Sequence, residues 1–184
     1  KIRSGLFNLG FIEAWDVSLA AEALSRKTSE FLANHSGTFI SSSCPVVVRL
    51  IRTLYPELTG QLLPFKAPTD AMAEKVRLRA EVQGVKPEEI GVFLLTPCPG
   101  KNTATFDPIG LESSAIDHTI SVAQVYQGVL AAMDKQHTQG QDSSIPYLGL
   151  GWGQSGGEVK LLTEELQNRS LSVSGIHRVT AVLD

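Results

Sequence analysis

Apolar positions along the chain fall into two rhythms, one near 3.6 residues and one near two, and the two kinds of segment take turns almost to the end. Residues 2–9 (IRSGLFNL) space Ile2, Leu6 and Phe7 as a helix that Gly10 would stop. Residues 11–17 (FIEAWDV) read as a short strand. The next segment, 18–35, places Leu19, Ala20, Ala23, Leu24, Phe31 and Leu32 on one helical face, with Ser18 as its N-cap. Residues 37–43 (GTFISSS) are a second strand, and Pro45 opens a helix over 45–55 at the position where a missing N–H costs nothing. A third long helix over 67–84 ends near Gly84, before the most apolar segment of all, 89–97 (EIGVFLLTP). That composition suits a strand buried on both faces of a parallel sheet.

Beyond it, small and polar residues from about Gly100 to Ser114 predict a loop. Residues 116–121 (IDHTIS) are a strand and 122–136 a helix, followed by a polar stretch, 137–146, that reads as a mobile loop or a linker between lobes. Residues 147–166 give strand, Gly-rich turn and helix, and 171–184 give strand, turn and helix. Alternating strand and helix predict an α/β fold of mostly parallel sheet flanked by helices. The expected arrangement has two lobes, residues 1–110 with both cysteine loops and residues 111–184 as part of a second lobe, the loops facing the cleft between them.

Composition narrows the function classes. The 184 residues are 42% hydrophobic and 19% charged, ordinary for a globular chain. The longest apolar runs are far short of the ~20 residues that cross a bilayer. A formal charge of −3 with no basic stripe argues against nucleic acid as a partner. Two cysteines make no disulfide framework, which points to a reducing cytoplasm and sets aside the glycosylation pattern at Asn168. The chain opens at Lys1 without a methionine or a signal-peptide pattern, and so reads as a piece of a longer protein.

Ligands of open α/β sheets bind at the carboxyl ends of strands. Two loops at such ends, 41–45 (SSSCP) and 96–101 (TPCPGK), carry the only thiols, Cys44 and Cys98. A helix N-terminus favours thiolate, which suits a soft metal or an iron–sulfur cluster. A cysteine so placed also reads as a small buried hydrophobe, and on position alone both readings stay open.

Segment 39–58 (FISSSCPVVVRLIRTLYPEL) resembles the first cluster-binding segment of iron-only hydrogenases, a Thr-Ser-Cys-Cys-Pro-Gly-Trp pattern before a helix ending in Pro-Glu. Segment 92–101 (VFLLTPCPGK) resembles the second, a strand closing on Met-Pro-Cys-Thr-x-Lys. Residues 9–22 are similar to the family's strand–helix entry, 65–68 (FKAP) to its Lys-Ser-Pro turn, 151–162 to its Gly-Ala-Thr-Gly-Gly helix start, and 171–179 to the strand and turn before its final segment. The resemblance implies that Cys44 and Cys98 are two ligands of a 4Fe–4S cluster, and that Lys101 stands where a lysine contacts a cyanide on a diiron subcluster.

The departures are as specific. Ser43 stands at the position of a proton-relaying cysteine, Thr96 replaces a methionine, Pro99 and Gly100 change the second loop, and Val46 and Val47 replace Gly-Trp. Of the glutamates on the early helix only Glu30 has a counterpart. A final segment with two further cysteines has no match before Asp184, and two thiolates do not complete a four-thiolate set.

Other motifs carry weaker signals. Residues 151–156 (GWGQSG) fit a dinucleotide fingerprint but lack the acidic residue of a following strand, so tight turning and close packing is the favoured reading. His35, His118, His137 and His177 show no metal spacing, while Asp117–His118 and Cys98–His118 are conceivable acid/base and nucleophilic pairs. Trp15 and Trp152 read as packing.

Three functions follow. The first is a hydrogenase-like iron–sulfur domain from an anaerobe, with electron-transfer or signalling domains of the same chain as partners. The second is a truncated hydrogenase catalytic domain, a ferredoxin-type oxidoreductase acting on hydrogen. The third is a metal-free α/β ligand-binding or interaction module.

Overall fold

The computed structural model describes residues 1–110, 113–133 and 147–184. The stretch 137–146, read above as a mobile loop or linker, lies outside them. The fold is α/β: a parallel strand pair, β1 (Phe93–Thr96) and β2 (His118–Ser121), among helices. The helices are α1 (Ile2–Asn8), α2 (Ser18–Asn34), α3 (Pro45–Leu54), α4 (Pro68–Val82), α5 (Pro99–Phe106), α6 (Val122–Met133), α7 (Tyr147–Leu150), α8 (Glu164–Asn168) and α9 (Ile176–Leu183). No helix among the described residues is long and apolar enough to cross a membrane.

The chain groups into two compact units, Lys1–Asp16 with Ala73–Ser144, and Val17–Met72 with Ile145–Asp184. Each unit joins an early segment to a late one, and the cysteines fall in different units.

In the first unit, β1 and β2 pair in register from Phe93 with His118 to Thr96 with Ser121. Arg77 of α4 ties the helix to that pair. Its guanidinium donates to the carbonyls of Ala115 (2.7 Å) and Ile90 (3.2 Å) and pairs with Asp117, whose carboxylate also accepts the Val92 N–H at 2.6 Å. Helix α1 lies close on α6: Asn8 donates to the Ala132 carbonyl at 2.8 Å, and a Cβ at Gly5 would stand 2.9 Å from the Val129 carbonyl oxygen. Leu6, Val129 and Ala132 are buried here. Trp15 does serve packing, with the Arg79 guanidinium over its ring at 5.1 Å.

In the second unit, Ile51 of α3 is fully buried, with Ala21, Leu63, Met72 and Leu162 also in the core. Phe31 packs edge-on to Phe39 and Phe65, with centroids 5.2 and 5.7 Å apart. The buried stripe of α2 is not the predicted leucine face but Ser18, Ala21, Ser25 and Thr28. Backbone comes too near for larger side chains: a Cβ at Gly149 would stand 1.9 Å from the Ser18 carbonyl oxygen. Trp152 donates to Ser25 Oγ at 2.8 Å, so its packing role is also met. Val17, not Ser18, holds the N-cap of α2, and Ser18 is its first helical residue.

The other differences concern strands. Residues 11–17, 147–150 and 171–174 form none, and 37–43 keeps a single bridge, Ile40 to Leu62. A strand needs a neighbouring strand for its backbone groups, and among these segments only Ile40 meets one. Phe11 N–H turns back to the Leu6 carbonyl (3.2 Å), while residues 147–150 wind into α7. β1 is not buried on both faces, since Phe93 remains exposed. The expected loop after Gly100 is instead α5, whose Thr103 and Thr105 hydroxyls bond back to the carbonyls of Pro99 (3.2 Å) and Lys101 (3.1 Å).

The Gly-rich segment is set by close approach: a Cβ at Gly157 would lie 1.7 Å from the Gly151 carbonyl oxygen, whereas nothing lies within 4 Å of one at Gly60. Gly157→Ala and Gly149→Ala should each cost about 1–3 kcal/mol or more through forced backbone shifts. Gly60→Ala should change stability by less than about 1 kcal/mol. Urea denaturation of the three variants beside the parent checks this, and an unchanged midpoint for Gly157→Ala would refute the close-packing account.

Candidate functional site

Both cysteines stand at the same kind of junction. Cys44 is the N-cap of α3 with φ −98° and ψ 111°, and Cys98 is the N-cap of α5 with φ −94° and ψ 113°. A proline follows each. Its ring crowds the preceding residue out of the helical region, so the cysteine must be extended, while the proline's own fixed φ suits the first helical turn. Extended backbone therefore ends, and a helix begins, at the thiol-bearing residue in both places. Each cysteine's carbonyl takes up helical bonds at once, from Val48 N–H (3.1 Å) behind Cys44 and from Lys101 N–H (3.2 Å) behind Cys98.

Neither thiol is used as a helix cap or in a disulfide. Cys44 is exposed and Cys98 half-buried. Around Cys98, the buried hydroxyl of Thr96 accepts the Cys98 N–H at 3.2 Å, so the residue that replaces the expected methionine fixes the loop backbone. Lys101 lies in the first turn of α5, half-buried.

Around Cys44 the backbone has left the ladder, and hydroxyls hold it instead. Ser42 Oγ donates to the Phe65 carbonyl at 2.6 Å. Ser41 Oγ lies 2.7 Å from Glu158 Oε1 and 3.0 Å from Ser43 Oγ, accepts the Ser43 N–H at 3.3 Å, and Ser43 Oγ lies 3.4 Å from the same carboxyl oxygen. Burial pushes the Glu158 carboxyl above the usual range, while the two serine hydroxyls, which favour its charged form, pull it back. Sequence reasoning missed Glu158. The signal was a carboxylate directly after two glycines, in a segment read only for its glycines.

The remaining candidates disperse. Asp117 is committed to Arg77 and the Val92 N–H, so it is not a partner for His118. The His118 ring instead lies beside Phe93 (5.9 Å) and Phe106 (6.1 Å). His35 stacks on Phe31 at 4.0 Å, and His137 lies outside the described residues. Glu30 is exposed on α2. Residues 151–156 are not a strand–turn–helix dinucleotide site: Gly151–Gly153 is a short 3-10 turn, and Val159–Leu161 is another.

Two thiols, one per unit, match an iron–sulfur cluster in donor type, and no group of three or more His, Cys, Asp or Glu forms among the described residues. These residues do not complete a four-thiolate set.

A model of the family described as iron only hydrogenase large subunit, C-terminal domain, matches residues 1–173 of the 184. No curated protein matches the chain.

The difference in exposure gives a direct expectation. With a water-soluble thiol reagent, Cys44 should react several-fold faster than Cys98, and peptide mapping of partially labelled protein checks which is modified first. Equal rates would contradict the described exposures.

Proposed function

The chain belongs to the family formed by the C-terminal domain of iron-only hydrogenase large subunits, and from that premise we propose that it is a hydrogenase-like iron–sulfur domain serving electron transfer or sensing in a larger cytoplasmic protein. Cys44 and Cys98 supply two thiolates to a 4Fe–4S cluster. Its other ligands come from elsewhere in that protein, and its partners are electron-transfer or signalling domains of the same chain. The observation that carries this reading is the repeated Cys-Pro junction, which presents a free thiol at a helix start at both positions where the family has a cluster ligand. When bound, such a cluster supplies one-electron redox chemistry.

The chain's own residues argue for redox or sensory work over rapid hydrogen turnover. Ser43 offers a hydroxyl where the family offers a thiol, and a hydroxyl does not release its proton near neutral pH. Thr96 substitutes a small polar group, itself engaged by the Cys98 N–H, for a large methionine. Lys101, in the first turn of α5, keeps a cation for an anionic ligand of a diiron subcluster.

The test is iron and acid-labile sulfide analysis, with electron paramagnetic resonance, on the anaerobically reconstituted full-length protein beside a Cys44→Ser, Cys98→Ser double variant. The parent should hold about four irons per cluster-bearing chain, as a 4Fe–4S cluster requires, and the double variant should lose them. Hydrogen–dye exchange should be near background. An iron-free parent would overturn the cluster reading in favour of a metal-free module, and rapid exchange would overturn the sensory reading in favour of a catalytic domain.

A further inference from the structure

Glu158 is a half-buried carboxyl with no cation paired to it among the described residues. Its place is dictated by backbone. Gly156 adopts φ +75°, a conformation that favours glycine, and Gly157 has no room for a Cβ, so the turn before Glu158 tolerates little else. The carboxyl meets Ser41 and Ser43, more than a hundred positions away in sequence, on the segment leading into Cys44. That segment has given up strand pairing beyond Ile40, so hydroxyl bonds fix it.

We propose that Glu158, Ser41 and Ser43 form a proton-binding site that controls what the Ser43 hydroxyl can offer beside Cys44. With the carboxyl ionised, it is an acceptor only, and the hydroxyl protons of both serines are drawn to it or to one another. With the carboxyl protonated, one oxygen becomes a donor, Ser41 Oγ can accept from it, and the Ser43 O–H is released to donate elsewhere. One proton is taken up at a Glu158 oxygen and no bond between heavy atoms changes. Ser43 itself never ionises, so the site needs no hydroxyl of unusual acidity.

Burial moves the carboxyl upward from its ordinary value, against the downward pull of the two serine hydroxyls. Within 40–44 and 156–161 the only other titratable side chains are Cys44 and the exposed Lys160; residues 151–155 and 170–174, near Gly156 and Gly157, carry none, and the segment 61–66 that meets Ile40 and Ser42 brings the cation Lys66. The sign for stability follows. The folded state holds this proton more tightly than the unfolded chain, so the contribution is full below the unfolded carboxyl value and is lost as pH rises through the folded one.

The test is carbon-13 NMR titration of the Glu158 carboxyl in the metal-free chain, with the Ser43 amide followed in the same samples. Glu158 should titrate above the ordinary glutamate range, and the Ser43 amide should shift with the same midpoint. Ser41→Ala with Ser43→Ala should move that midpoint further up, because the donors that favour the charged form are gone. Ser42→Ala, whose hydroxyl serves Phe65, should leave it in place. Glu158→Gln should abolish the Ser43 titration, and its stability relative to the parent should rise with pH. An ordinary midpoint in the parent, a Ser43 amide that ignores it, or a midpoint unmoved or lowered by the double serine variant would overturn the proposal.

Discussion

The restriction that proline imposes on the residue before it is the constraint on which the site depends. At Cys44 and again at Cys98, that residue is held extended while the proline itself starts a helix. The thiol is thus carried at the hinge between two backbone regimes, without help from a disulfide or a cap. Replacing either proline would relax both halves of the device together. The backbone bonds that follow, from Val48 to Cys44 and from Lys101 to Cys98, are consequences of this local geometry.

What surrounds each junction differs, because each belongs to a separate compact unit. Near Cys98 the loop is steadied by Thr96, whose buried hydroxyl takes one backbone N–H, at the end of a strand paired in parallel register. Near Cys44 there is no ladder, and serine hydroxyls reach the Phe65 carbonyl and Glu158. A hydroxyl-held loop is the more open to control by protonation. Its bonds end on a group that can change charge, whereas a ladder's bonds end on amides that cannot.

The chain belongs to the family of iron-only hydrogenase C-terminal domains, and on the function proposed above its two free cysteines, Cys44 and Cys98, are the groups that would bind a cluster. On the resemblance to the family, Ser43 puts a hydroxyl where a thiol is expected and Thr96, bonded to the Cys98 N–H, stands where a methionine is expected, and the proposed function rests on both differences.

The sequence by itself determined what depends on neighbours in the chain. The helices expected over 45–55, 67–84 and 122–136, the stop at Gly10, strands within 89–97 and 116–121, the α/β class and the two Cys-Pro junctions follow from period, caps and the pre-proline rule. These are forces of a few bonds' range, so they are written locally. The tertiary structure alone decided what depends on a distant partner. It withheld partners from residues 11–17, 147–150 and 171–174, where the pattern expected strands. It turned small residues of α2 inward because the backbone at Gly149 comes close, and gave Asp117 to Arg77 in place of His118. It also brought Glu158 to Ser41 and Ser43, since a carboxylate's neighbours and burial across more than a hundred residues are properties of packing that no local pattern encodes.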